Sequence, residues 1–125
     1  MNEACRDRIY IRDLYLRCIV GIYEEERRGK QDVTLNITLH VDLRQAGRTD
    51  RIEHTVDYKA IKNQVVGMVE ESEFFLIEKL AEEAAAICLG FPGVAAVEVM
   101  VDKPGALRYA RSVAVHIFRQ REPDE

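Results

Sequence analysis

Val33, Leu35, Ile37, Leu39, Val41 and Leu43 alternate without a break with Asp32, Thr34, Asn36, Thr38, His40 and Asp42. Successive side chains of a strand point to opposite faces, so this stretch reads as a strand with one face on a core and one polar face. An antiparallel sheet covered on one side gives strands of this kind. His40 falls on the polar side and is expected to face solvent.

The flanking segments extend the pattern. Residues 1–8 read as a loose start. Ile9 and Ile11 then alternate with Tyr10 and Arg12, and after Asp13 the apolar parity moves to Leu14, Leu16, Cys18 and Val20. A two-residue period that slips by one predicts a bulge or bend inside a long strand, which Gly21 ends. The charged stretch from Gly21 to Gln31, with Gly29 near its far end, predicts a long hairpin connection. Residues 44–56 carry no strong period and are expected to form a crossing loop.

Asp57 is the expected N-cap of a helix reaching Glu71, with Ile61, Val65, Met68 and Val69 at helical spacing. A second helix, counted from Leu76, places Leu76, Ile77, Leu80, Ala81, Ala84, Ile87 and Cys88 on one arc and stops at Gly90, ahead of Pro92. Val97, Val99 and Val101 form a third strand. Residues 102–110 turn, Val113, Val115 and Ile117 form a fourth, and a charged tail is expected from Arg119. The order is strand, strand, helix, helix, strand, strand. It predicts an α+β fold: one four-stranded antiparallel sheet with both helices on one face, in a single domain over residues 1–125 with its core at about 7–120. Two strand edges would remain open, and edge-to-edge association of copies into a closed barrel would remove them.

The chain is long enough for one core, and its formal net charge of −4 argues against nucleic acid as a partner. No apolar run is long enough to span a bilayer. Cys5, Cys18 and Cys88 are odd in number and lack ligand-like spacing, which reads as free thiols in a reducing cytoplasm. His40, His54 and His116 are scattered, so no metal is expected.

Chemistry is left to separated polar residues beside turns: Glu26 in the first hairpin, Tyr58 at the start of one helix, Glu78 at the start of the next and Lys103 ending the third strand. Singly, each has an ordinary surface explanation. Glu26 sits in a charge run, Tyr58 can keep its hydroxyl in water, and Lys103 precedes the turn pair Pro104-Gly105. Glu78 complements a helix N-terminus just outside the apolar arc. The same border position suits a carboxylate that accepts two hydrogen bonds from a flat, amidine-like ligand edge.

Taken together and in order, the motifs resemble the dihydroneopterin aldolase family. They are Gly21-Ile22-Tyr23-Glu24-Glu25-Glu26 followed by Gln31, then Val56-Asp57-Tyr58, Leu76-Ile77-Glu78-Lys79-Leu80 and Asp102-Lys103-Pro104-Gly105, and the resemblance runs over about residues 7 to 120. The first motif, Lys62-Asn63, the segment 74–80 and Ala106-Leu107-Arg108-Tyr109-Ala110-Arg111-Ser112-Val113 are similar to the family's branch of dihydroneopterin triphosphate 2′-epimerases. Pro104-Gly105 is similar to its aldolases.

The resemblance implies the tunnelling fold, in which four subunits close a barrel and two rings stack into a homo-octamer. It also implies a pterin substrate held between subunits. Glu78, preceded by Ile77, would hold the pterin 2-amino group and ring N–H, with the Val56 backbone and Tyr58 arriving from a neighbouring chain. Lys103, Glu26 and Tyr58 would carry catalysis without a cofactor. Epimerisation and aldol cleavage use the same residues, so both outcomes remain, as does a pterin- or purine-binding subunit without turnover. A triphosphate tail would need cations, and Arg108 is the first choice ahead of Arg111, Arg27, Arg28 and Lys30.

Overall fold

The computed structural model describes residues 6–122. Strands β1 (Asp7–Cys18), β2 (Gln31–Val41), β3 (Ala96–Pro104) and β4 (Ser112–Gln120) form one antiparallel sheet in sequence order. Between β2 and β3 run the short helix α1 (Arg44–Thr49) and the longer helices α2 (Tyr58–Glu71) and α3 (Ile77–Leu89). Helix α2 packs on β1 and against α3, and α3 packs on β3 and β4. Helices α2 and α3 thus cover one face, and β1 and β4 are the open edges, as the alternation requires.

The core lies between this face and the helices. Val33, Leu35, Ile37 and Leu39 of β2 and Val97, Val99 and Val101 of β3 meet Ile61, Val65 and Val69 of α2 and Leu80, Ala81, Ala84 and Cys88 of α3, all fully buried or nearly so. Burying a Leu, Ile or Val side chain stabilises by about 1.5–3 kcal/mol, and this set provides most of the driving force. Asp57 caps α2 by accepting the Ala60 N–H at 3.0 Å. The parity slip in β1 is a bulge. Ile11 pairs with Ile37 and Leu14 with Leu35, so three steps on β1 face two on β2. Asp13 holds the inserted position at φ 55°, and its N–H donates to the Asn36 side chain at 2.9 Å.

Several expectations are corrected. Strand β1 already begins at Asp7, so residues 7 and 8 are not loose, whereas Cys5 and the rest of residues 1–5 lie outside the described residues. The hairpin connection contains a 3-10 turn, Glu24–Arg28. Residues 44–56 hold α1 and a second 3-10 turn, Ile52–His54. Neither buries a residue fully, so neither left an apolar period to read. Leu76 leaves the apolar arc: it is the N-cap of α3 and half exposed.

His40 does not face solvent; it is only 8% exposed, its Nε2 lies 2.7 Å from the Glu98 carboxylate, and the Phe118 ring meets it edge-on. The neighbours that cover it come from β3 and β4, which a one-strand pattern cannot see. Strand β4 runs through Arg119, whose guanidinium bonds Glu82 of α3. Arg121 then returns to the carbonyls of Phe91 and Val94, so the tail is tied to the fold as far as that residue.

Candidate functional site

Where the end of β1, the start of α3 and the β3–β4 turn converge, a cavity of about 320 Å³ opens. Its lining includes Glu26, Lys103, Ile77 and Glu78, four of the residues singled out from the sequence. Apolar side chains form the rest of the wall, among them Ile22, Phe75, Leu76 and Leu107, each more than half exposed.

Lys103 sits at the end of β3, in step with Val97, Val99 and Val101 on the helix-covered face, and is only 9% exposed. A buried ammonium needs partners for its protons. Its Nζ donates to a Glu26 carboxylate oxygen at 2.7 Å and to the Val20 carbonyl at 3.4 Å. The other Glu26 oxygen accepts the Tyr23 N–H at 3.2 Å, while the Glu26 N–H donates to the Tyr23 carbonyl at 3.0 Å. Gln31 donates to the Glu26 carbonyl at 3.4 Å. The Lys103 hydrogen bond, with help from the Tyr23 N–H, holds the Glu26 carboxyl below its ordinary value despite the opposing effect of burial.

Gly21 permits this arrangement. Its φ is 143°, and a Cβ built on it would stand 2.3 Å from a Glu26 carboxylate oxygen. No side chain fits there with Glu26 in place.

Glu78 occupies the first turn of α3, exposed, on a cavity wall otherwise built from apolar groups. Among the described residues its carboxylate has no hydrogen-bond or ion-pair partner. The cavity therefore contains two carboxylates in different conditions: Glu26 is bound to a cation, and Glu78 is open to a ligand with paired N–H donors.

Val56 and Tyr58 are elsewhere. Val56 is buried beside a separate cavity lined in part by Leu43, His54, Thr55 and Gly93. Tyr58, at the first position of α2, is 57% exposed. Neither lines the Lys103 cavity. Arg108 is exposed in the β3–β4 turn, with its guanidinium carbon 5.4 Å from the Tyr109 ring centre, and also does not line that cavity.

Arg27 leaves the phosphate candidates, because its guanidinium is already engaged. It donates to the carbonyls of Gly21 at 3.1 Å, Phe74 at 2.9 Å and Glu73 at 2.6 Å, and stacks 4.2 Å from the Phe75 ring centre. Sequence reasoning missed this clamp and the apolar wall of Ile22, Phe75 and Leu107. The adjacent aromatic pair Phe74-Phe75 ahead of an amphipathic helix was the available signal, since one of two adjacent aromatics at a helix entry must lie off the core.

Among the described residues, no helix is long and apolar enough to cross a membrane, and no group of three or more His, Cys, Asp or Glu is placed to hold a metal ion.

In comparison with known proteins, the dihydroneopterin aldolase family model matches residues 9–118. The chain is 40% identical over 114 residues to dihydroneopterin triphosphate 2′-epimerase of Pseudomonas aeruginosa, covering 91% of this chain and 93% of that protein. It superposes on Escherichia coli dihydroneopterin aldolase, solved in complex with neopterin, with a TM-score of 0.85 at 32% identity, over 90% of this chain and 98% of the other. Burkholderia thailendensis dihydroneopterin aldolase, solved bound to guanine, gives a TM-score of 0.79 at 30% identity, over 93% and 92% of the two chains.

Proposed function

The chain belongs to the dihydroneopterin aldolase family, and from that premise we propose that it is a 7,8-dihydroneopterin triphosphate 2′-epimerase. The observation that carries the reading is the buried Lys103 paired with the partly buried Glu26 in the same cavity that presents Glu78, which has no partner among the described residues. A pterin-binding protein without turnover needs the Glu78 anchor but has no use for a sequestered lysine. The choice of epimerase over aldolase leans on the epimerase-like segments Lys62-Asn63, 74–80 and Ala106-Leu107-Arg108-Tyr109-Ala110-Arg111-Ser112-Val113, with the 40% identity over 114 residues to the Pseudomonas aeruginosa enzyme beside them.

In this reading Glu78 accepts the 2-amino group and ring N–H of the pterin, a two-point contact that fixes the ring plane in the cavity. Removal of the 2′-hydroxyl proton lets the C1′–C2′ bond break, and its electron pair enters the dihydropterin ring toward N5. Lys103, oriented by Glu26, donates toward N5 or a water beside it as negative charge develops there. The glycolaldehyde-type fragment turns over before it escapes, and C1′ adds to the opposite face of its carbonyl. C2′ is inverted and no atom is lost. Tyr58 moves the proton at the hydroxyl or enol carbon.

Tyr58 and Val56 reach the substrate from a second copy. Several features support this: both lie outside the Lys103 cavity, β1 and β4 are open edges, and Ile22, Phe75, Leu76 and Leu107 are apolar yet exposed. Copies joined β1 to β4 would close a barrel in a homo-oligomer, an octamer of two tetrameric rings.

Pro104-Gly105 after the lysine keeps aldol cleavage as the second reading, in which the aldehyde leaves and 6-hydroxymethyl-7,8-dihydropterin remains. The test is incubation with 7,8-dihydroneopterin triphosphate and, separately, with dihydroneopterin, followed by oxidation and separation of products. Monapterin triphosphate is the expected main product. Hydroxymethylpterin as the main product replaces epimerase by aldolase, and absence of turnover with retained pterin binding, unchanged in Lys103→Ala, overturns the catalytic reading.

A further inference from the structure

Besides the β3–β4 turn, the Lys103 cavity has two walls with different chain origins. One is the connection after β1, which carries Gly21, Ile22, Tyr23 and Glu26; the other is the passage from α2 into α3, which carries Phe75, Leu76, Ile77 and Glu78. The two are far apart in sequence and neither belongs to the sheet. Two kinds of contact fasten them: the Gly21 N–H donates to the Phe74 carbonyl at 3.3 Å, and the Arg27 guanidinium bridges both walls.

Arg27 bonds the Gly21 carbonyl on its own wall and the Glu73 and Phe74 carbonyls on the other, with its guanidinium carbon over the Phe75 ring. A guanidinium presents several donors in a rigid fork, so it fixes three acceptors relative to one another where an ammonium holds them only about a point. Arg27 is also the residue next to Glu26. The backbone segment that sets the Glu26 carboxylate against Lys103 is the segment that Arg27 ties to the entrance of α3.

We propose that Arg27 is a positioning residue that fixes the separation between the Lys103–Glu26 pair and the Glu78 anchor by clamping the two cavity walls together. The claim rests on the catalytic reading given above. It assigns Arg27 no contact with substrate; its role is to hold the reacting groups in register, where a misplacement of about 1 Å can cost roughly a hundredfold in rate. Binding depends mainly on Glu78, which is built into the first turn of a helix packed on the sheet, and survives loss of the clamp.

The test compares Arg27→Ala and Arg27→Lys with the wild type at a temperature well below all unfolding midpoints. For Arg27→Ala, kcat on dihydroneopterin triphosphate is expected to fall roughly 10- to 100-fold. The Kd for neopterin, read by pterin fluorescence, should stay within about threefold, because the Glu78 contact is untouched. Arg27→Lys should recover part of kcat, since it keeps the charge and loses the fork. It also carries the test should the alanine variant not fold.

A lowered unfolding midpoint with kcat unchanged would make Arg27 merely structural and overturn the proposal. So would kcat and affinity lost together, which would mean that the whole cavity needs the clamp. Hydrogen exchange at the Gly21 and Tyr23 amides separates this claim from the functional one. If the wild type binds and turns over no pterin, loss of protection at both amides in Arg27→Ala still upholds the clamp. Unchanged protection refutes it.

Discussion

Gly21→Ala tests how closely the Lys103 pair depends on the backbone beneath it. The added Cβ would lie 2.3 Å from one Glu26 carboxylate oxygen, 2.4 Å from its carboxyl carbon and 2.7 Å from its Cβ. The first two contacts could be relieved by rotating the side chain. The third involves the root of the side chain, so the Glu26 backbone must move as well. Two costs follow. Holding alanine at φ 143° strains the chain by about 1–3 kcal/mol. Displacing Glu26 removes a charged hydrogen bond from a buried lysine, about 1.5–3 kcal/mol.

These costs are separable in a double-mutant cycle with Glu26→Ala. If alanine at position 21 acts by evicting Glu26, the single variants both lose the pair, whereas the double variant loses it once and keeps the backbone strain and the contact with the Cβ at position 26, both of which Gly21→Ala alone also carries. The coupling should therefore be about −1.5 to −3 kcal/mol, equal to the worth of the pair. Urea unfolding at one fixed protein concentration measures it, the fixed concentration being needed because assembly would shift apparent stability. Additivity within about 0.5 kcal/mol would show that Glu26 does not yield to the new methyl group, and the reasoning would fail.

Three more outcomes are expected. The Glu26 carboxyl is held below its ordinary 4.5, so its contribution to stability is fully present above that pH and is lost as pH falls through the lower folded-state value. The stability difference between wild type and Glu26→Gln should shrink progressively below pH 4.5, and a constant difference in thermal melts down to strongly acidic pH would contradict the pairing. Burial pushes the Cys88 thiol up to about 12 and raises the Cys18 thiol too, so at pH 8 neither should react with an aromatic disulfide reagent until denaturant is added, as mapped by mass spectrometry. Arg108→Ala should raise KM for the triphosphate roughly tenfold and leave that for unphosphorylated dihydroneopterin nearly unchanged; equal changes would remove Arg108 from the phosphate site.

The sheet was legible because its information is local: the alternation through Val33–Val41 assigns faces without reference to any partner, and the parity slip at Asp13 marks the bulge. Helices α2 and α3 were legible for the same reason, through stripes at helical spacing. What escaped depended on neighbours distant in sequence. His40 is covered by Glu98 and Phe118, and no feature of β2 announces them. Helix α1 is too short to show a period. At the site, Lys103 and Glu26 stood out only through their place among familiar motifs, since a turn lysine and a glutamate in a charge run are ordinary. Their contact depends on Gly21, and the role of Arg27 lies in three carbonyl oxygens, which carry no side-chain identity and so leave no mark on the sequence.

The inserted residue in β1 has a further consequence. Without Asp13, Ile9, Ile11, Leu14, Leu16 and Cys18 would fall into one uninterrupted two-residue rhythm, and every side chain would keep its face. The bulge therefore contributes nothing to hydrophobic sorting. What it adds is bend and twist, placed on an edge strand, where a neighbouring copy would attach. In a ring of identical pieces, the curvature of each piece determines how many are needed to close the circle. In the ring proposed above, deleting Asp13 should accordingly yield a subunit that folds with the same core and closes with a different number of copies; native mass spectrometry that gives wild type and variant the same number would refute this.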